Sequence, residues 1–258
     1  MQTQAEYWNG QGGERWVAHQ TKLDSTLAEI TQHWLGWVAP KPGERALDVG
    51  CGTGTTALML AEAGCVVTGV DVSAPMLALA QKRAPKLVFV EADAQRAKLP
   101  ASDLVTSRFG VMFFDDPVAA FRNLKSTGGR LAFVCWQALA ENEWATAPLA
   151  VAKSLLPAEP PPDPDAPGPF AFGRRERLEG ILASAGWQDI EIVGREATMP
   201  MGANVDEAIA HAFSFGPTSR ALAAADDATR AAVAAAMRPI YERSLAPRAA
   251  VWLVRASA

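Results

Sequence analysis

A chain of 258 residues, 49% hydrophobic and 20% charged, can bury one substantial core or a core plus a small cap. Its formal charge of −4 and pI of about 5.5 argue against a nucleic-acid backbone as the main partner, because such binders carry basic patches. There is no visible N-terminal signal and no apolar run long enough to cross a membrane. Cys51, Cys65 and Cys135 lack the spacing of a disulfide framework or a zinc site, so no metal and a reducing, cytoplasmic compartment are expected.

Residues 1–40 are crowded with Tyr7, Trp8, Trp16, Trp34 and Trp37. Leu23, Leu27, Ile30 and Trp34 fall at helical spacing and predict a helix near residues 23–38. Trp34 and Trp37 suit either a cover or the packing of that helix on a sheet. Tyr7, Trp8 and Trp16 stand in a stretch broken by Gly10, Gly12 and Gly13, which suits a mobile cover better than a core.

Pro40-Lys41-Pro42-Gly43 then leads into Arg45–Thr56, RALDVGCGTGTT, which reads as a buried strand, a tight turn with glycines at 50, 52 and 54, and the start of a helix. Glycine lets a backbone come close to a ligand. The turn lacks the Gly-Lys-Ser/Thr ending of a P-loop. Counted from Gly50 or Gly52, a dinucleotide fingerprint would need glycine at Thr55 or Ala57. Alternate glycines after Asp48 suit a nucleoside with an amino-acid tail and no pyrophosphate. A carboxylate in an apolar strand end is costly without a partner, so Asp48 implies a cationic ligand or hydrogen bonds from the turn. Cys65–Val70 predicts a second strand ending in Asp71, an acid placed to accept hydrogen bonds from ribose hydroxyls.

Leu47-Asp48-Val49-Gly50-Cys51-Gly52-Thr53-Gly54, followed by Gly69-Val70-Asp71, resembles motifs I and II of the class I S-adenosylmethionine-dependent methyltransferases, of the small-molecule, ubiquinone/menaquinone-methyltransferase-like type. The resemblance covers residues 40–136 firmly and 173–258 loosely. It implies S-adenosyl-L-methionine as cofactor, held by Asp48, Gly50, Cys51, Gly52, Gly54, Asp71, Val72 and Met76. Asp93 and Ala94 would meet the adenine, and Arg108 and Phe109 would lie at the strand end beside the sulfonium. The residues themselves also allow a helix cap for Asp93 and a rim salt bridge for Arg108.

Ser73 can cap a helix running to Arg83, and 86–90, 103–110 and 130–136 read as further strands, with a helix opening at Asp115-Asp116-Pro117. Strands alternating with helices imply a parallel, doubly wound sheet with its ligand at the carboxyl ends of the strands. From Gln137 to Phe172 the pattern fails, and Pro157 to Pro169 is expected to run as a stiff extended segment over the active site. A helix over 174–185, a strand near 187–196, two or three alanine-rich helices over 204–245 and a closing antiparallel strand near 249–254 complete the chain. The expected fold is thus α/β, a doubly wound seven-stranded sheet, with the strand order 3-2-1-4-5-7-6 supplied by the resemblance. Residues 1–40 are expected to form a helical lid and 41–258 the catalytic domain, with an inserted cover at 137–172 and a helical cap at 204–245.

The function expected is methyl transfer to a small, partly apolar acceptor by in-line displacement, with no nucleic-acid partner. Tyr7, Trp8, Trp16 and Trp136 would face substrate or form the lid, and His19 or His211 would serve if a base is needed. The alternatives are a catalytically inactive S-adenosylmethionine or S-adenosylhomocysteine binder and a nicotinamide-dependent oxidoreductase, which Asp71 fits but Thr55 does not.

Overall fold

Ala46-Leu47-Asp48-Val49 is buried throughout, and a strand with no polar face belongs inside a sheet. The computed structural model describes residues 3–158, 160 and 163–258. The strands are β1 (Arg45–Val49), β2 (Val66–Asp71), β3 (Val88–Glu91), β4 (Leu104–Arg108), β5 (Arg130–Trp136), β6 (Gln188–Thr198) and β7 (Arg248–Ser257). They form one sheet in the order β3-β2-β1-β4-β5-β7-β6, the expected order. β7 runs antiparallel to both β5 and β6, and the remaining pairs are parallel. The carboxyl ends of β1, β2, β3 and β4 therefore share one edge.

Four helices precede the sheet: α1 (Gln4–Asn9), α2 (Gln11–Ala18), α3 (Gln20–Thr26) and α4 (Ala28–Val38). The single helix expected near 23–38 is thus two, broken at the buried Leu27, so that α3 reaches the glycine turn while α4 packs on the sheet. Trp34, fully buried, donates its Nε1–H to Thr106 Oγ1 at 3.1 Å, and Trp37 lies under the Arg255 guanidinium at 4.4 Å; both are packing residues. The glycines read as breaks serve a different purpose. Gly12 and Gly13 lie inside α2 at close contacts: a Cβ on Gly12 would meet the Tyr7 ring, and one on Gly13 would sit 2.6 Å from Ser73 Oγ.

α5 (Thr55–Glu62), α6 (Ala74–Arg83) and α7 (Pro117–Lys125) connect the parallel strands, with Ser73 and Asp116 capping the last two. Residues 143–155, where no regular pattern was expected, form α8 (Glu143–Leu155). Pro148 obscured it, since proline lacks an N–H and opposes a helix interior. The buried faces of Trp144, Ala145, Leu149 and Ala152 outweigh that single lost bond. α9 (Arg175–Ser184) precedes β6. The expected alanine-rich helices are three: α10 (Val205–Ser214), α11 (Gly216–Ala221) and α12 (Asp227–Arg243). The expectation for Pro157–Pro169 lies outside the described residues at Glu159, Pro161 and Pro162. Among the described residues, no helix is long and apolar enough to cross a membrane.

Candidate functional site

The turn after β1 works through its backbone. Gly50, Gly52 and Gly54 have φ of 66°, 54° and 84°, a region that favours glycine. A Cβ on Gly50 would lie 2.6 Å from Gly110 Cα, so the turns after β1 and β4 touch backbone to backbone. A Cβ on Gly52 would meet only Met76 Sδ, at 3.7 Å, and Gly52 lines the cavity described below. Gly54 packs on Ala80 and Phe89 behind the turn and begins α5.

Asp71 ends β2, and its carboxylate holds this turn. Its Oδ2 accepts the Gly52 N–H at 2.8 Å and its Oδ1 the Ser73 N–H at 2.9 Å. Burial raises its pKa. Each oxygen keeps a lone pair, so the carboxylate has capacity for two further donors. Asp48 sits behind the turn, fully buried, and does not line the cavity. Thr56 Oγ1 donates to its Oδ2 at 2.6 Å, while its Oδ1 has no partner. The hydrogen bond comes from α5, not from the glycine turn. Burial pushes the Asp48 carboxyl up to about 7, against the opposing effects of Thr56 and the Arg108 charge.

At the end of β3, Asp93 Oδ1 accepts the Gln95 N–H at 2.9 Å, and its Oδ2 lies 3.3 Å from Arg96 Nη1. At the end of β4, Arg108 is buried: Nη1 donates to Thr31 Oγ1 at 2.7 Å, and Nη2 lies 3.6 Å from Asp24 Oδ1. Phe109 follows with φ 69° and stacks on Trp136 at 4.3 Å and 13°. A bulky residue in this region stores backbone strain, which clusters at functional sites.

Asp24 carries no signal in the sequence. On α3, it accepts from Thr55 Oγ1 at 2.9 Å and from Arg83 Nη2 at 3.4 Å. Arg83 Nη1 in turn donates to the Thr53 carbonyl at 2.7 Å. The N-terminal helices are thereby tied to the glycine turn. They are also pinned beside Asp71. Asn9 Nδ2 donates to the Val72 carbonyl at 2.7 Å, the Ala74 N–H to Asn9 Oδ1 at 2.9 Å, and Ser73 Oγ to the Trp8 carbonyl at 2.6 Å.

These elements enclose a cavity of about 810 Å³. One wall is the strand edge: Gly50, Cys51, Gly52, Asp71, Val72 and Met76, continuing through Asp93, Ala94, Arg108 and Phe109. The facing wall carries Tyr7, Trp8 and Trp16, which the sequence singled out, as it did Trp136, which lies at the end of β5 stacked on Phe109. The facing wall also carries Trp144, Phe170 and Phe215, and Phe113 lines the cavity from the turn after β4; the sequence singled out none of these four. Pro160 and Pro169 line it too. Trp8 meets Phe113 edge-on at 5.0 Å, and Trp144 stacks on Phe215 at 5.6 Å. His19 lines the mouth. His211 lines the interior, is buried, and has an unpartnered Nε2. Burial, with the charges of Lys22 and His19, lowers its pKa to about 4. His33 lies near Glu29 and is not among the lining residues.

A nucleoside with an amino-acid tail fits the strand-edge wall. The open face of Gly52 admits close approach, Asp71 has spare acceptor capacity for vicinal hydroxyls, and Asp93 with Ala94 presents a carboxylate beside a backbone amide.

A family model described as a methyltransferase domain matches residues 47–133. The chain is 37% identical over 102 residues to a demethylmenaquinone methyltransferase of Beutenbergia cavernae, covering 38% of this chain and 42% of that protein. It is 28% identical over 168 residues to the demethylmenaquinone methyltransferase of Renibacterium salmoninarum, covering 59% of this chain and 70% of that one. Among solved structures it is similar to phosphoethanolamine N-methyltransferase 2 of Haemonchus contortus in complex with S-adenosyl-L-methionine. The TM-score there is 0.56 at 18% identity, over 95% of this chain and 56% of the other, a likeness of fold.

Proposed function

We propose that the chain is a class I S-adenosylmethionine-dependent methyltransferase, a reading supported by the methyltransferase-domain match over residues 47–133, and that it transfers the cofactor's methyl group to a small, partly apolar acceptor by in-line displacement. The observation that carries this reading is the cavity of about 810 Å³ with a polar strand-edge wall and an aromatic wall opposite. When bound, the cofactor supplies a methyl group already activated by its sulfonium. What the chain must add is placement and exclusion of water, and placement alone can lower a barrier by roughly 7–11 kcal/mol.

In this reading Asp71 accepts from the ribose hydroxyls, Asp93 and the Ala94 N–H hold the adenine, and Gly52 allows the backbone to approach. The stacked Phe109 and Trp136 rings support the acceptor at the strand edge, while Trp8, Trp16 and Trp144 displace water. His211 is preferred to His19 as the group facing the nucleophile, because it is buried with an unpartnered Nε2. With a pKa of about 4 it is neutral at neutral pH, so its Nε2 can accept a hydrogen bond from the nucleophile and align it. Residues 1–40 act as the lid, 137–172 as an inserted cover and 204–245 as the cap. The two relatives named for demethylmenaquinone support a small, ring-bearing acceptor. The three unpaired cysteines support a cytoplasmic setting.

The test is transfer of a labelled methyl from S-adenosylmethionine to a panel of small aromatic acceptors, run beside calorimetric titration of the cofactor. Micromolar binding, about −8 kcal/mol, with label appearing in an acceptor is the expected result. Binding without transfer to any acceptor would favour the catalytically inactive binder, and no binding would sink both.

A further inference from the structure

We infer that the acceptor is an anion: a flat, ring-bearing molecule with a carboxylate or similar acidic group, its ring against Trp16, Trp144 and Phe215 and its negative end toward Arg15 and Arg220. This deepens the methyl-transfer reading and rests on it.

The first observation is a segregation of charge. The carboxylates lining the cavity, Asp71, Asp93 and Asp115, all lie on the cofactor edge, and the two cations on that edge, Arg96 and Arg108, are paired with Asp93 and Asp24. The opposite side is lined by Arg15, Lys22, Lys153 and Arg220, and by no acidic side chain among the described residues. None of these four cations forms a salt bridge among the described residues, although the chain as a whole carries −4. A concave surface lined by one sign of charge concentrates its field inside the cleft.

The second observation is that three of the four are positioned without being neutralised. Arg15 Nη1 reaches Ser219 Oγ at 3.4 Å, Lys22 Nζ donates to the Glu207 carbonyl at 3.3 Å, and the Arg220 guanidinium sits 5.7 Å from the centre of the Tyr7 ring. Ser219 and Arg220 are consecutive on α11, so Arg15 and Arg220 flank one point of the wall. Next to them is the ring platform. Trp16 meets Phe215 at 6.0 Å, and Phe215 stacks on Trp144 with 25° between planes. An aromatic surface bordered by unpaired guanidinium groups matches a planar acid, because guanidinium binds carboxylates in bidentate fashion.

The third observation is inside the cavity. His211 lies 5.7 Å from Phe215, and the positive charges of Lys22 and His19 act on it in the same direction as its burial. An acceptor bearing negative charge offsets that field and leaves the Nε2 more basic when the acceptor is in place than when it is absent.

The test titrates protein saturated with S-adenosylhomocysteine with indoleacetate and with the isosteric, uncharged indoleacetamide. The acid is expected to bind about tenfold more tightly, with the advantage shrinking as salt is raised. It should vanish in an Arg15→Met, Arg220→Met double variant that still binds S-adenosylhomocysteine. Equal or tighter binding of the amide, or an advantage that survives both salt and the double substitution, overturns the inference. Failure of S-adenosylhomocysteine itself to bind instead overturns the methyl-transfer reading, so the two failures are distinguishable.

Discussion

On the strand-edge side of the cavity the lining groups are backbone amides, glycine Cα atoms, three carboxylates and two arginines already paired with Asp93 and Asp24. Across from them stand ring faces and cationic side chains. The first wall is made by strand ends fixed in one parallel register. The second is gathered from α1 to α3, α8, the segment before α9, and α10 to α11. A wall made of backbone tolerates little change, because each glycine is committed to a φ or a contact. A wall made of side chains on helices can be re-cut by substitution while the sheet stands. On the methyl-transfer reading, the strand ends hold the cofactor and the exchangeable side chains of the second wall select the acceptor.

The largest effect expected from this contrast is at Gly52. Gly52→Val should abolish cofactor binding by filling the open face of the turn, while costing only strain of about 1–3 kcal/mol in a melt that stays cooperative. Gly50→Val, by contrast, should fail in folding itself, since its Cβ would strike Gly110 Cα. Native cofactor affinity in Gly52→Val, measured by calorimetry, would break the assignment of that wall.

A smaller, crossed pair of effects comes next. Asp71→Ala removes a charged acceptor worth about 1.5–3 kcal/mol, so cofactor affinity should fall roughly tenfold to a hundredfold. Trp144→Phe keeps a ring but loses part of the stacked surface, a change of about 0.5–1.5 kcal/mol. It should raise the acceptor KM severalfold and leave cofactor affinity alone. If both substitutions shift both affinities alike, the two walls do not act separately.

The smallest net effect is in the stability of the intact protein, where two buried groups, Asp48 behind the turn and His211 in the cavity, carry opposite pH signs. Asp48 has a folded pKa of about 7 against 3.8 for the free group, so the unfolded chain loses its proton first. Stability falls as pH rises across that window, by roughly 4 kcal/mol. His211, at about 4 against 6.5, behaves in reverse: stability rises with pH between those values, by roughly 3 kcal/mol. The two nearly cancel in the intact protein. Asp48→Asn should therefore gain stability relative to the parent as pH rises from about 4 to 7. His211→Gln should start with an advantage at low pH and lose it by about pH 6.5. Melting temperatures across that range check both slopes; parallel curves for parent and variants would refute the burial argument.

The strand-edge wall was legible in the sequence because its parts are local. Leu47 to Gly54 is one run, and Asp71, Asp93 and Phe109 each follow a predicted strand. Asp24 was invisible because its partners Thr55, Arg83 and Arg108 come from three other elements and share no spacing with it. α8 was hidden by Pro148, and Phe215 by the glycine and proline that follow it. Gly12 and Gly13 misled in the opposite way. Glycine as a breaker and glycine as a contact point look the same in a sequence, and only the Tyr7 ring and Ser73 distinguish them.

The three hydrogen bonds joining Asn9 and Trp8 to Val72, Ser73 and Ala74 hold the N-terminal helices directly over the residues that follow Asp71. At about 0.5–1.5 kcal/mol each, they form a latch that is modest in energy yet must open as a unit. The same helices carry Trp8 and Trp16 of the acceptor wall. Whatever occupies the cofactor wall is therefore shut in by part of the acceptor wall. On the methyl-transfer reading the latch predicts an ordered cycle, with cofactor entering before acceptor and leaving after methylated product, which product-inhibition patterns check.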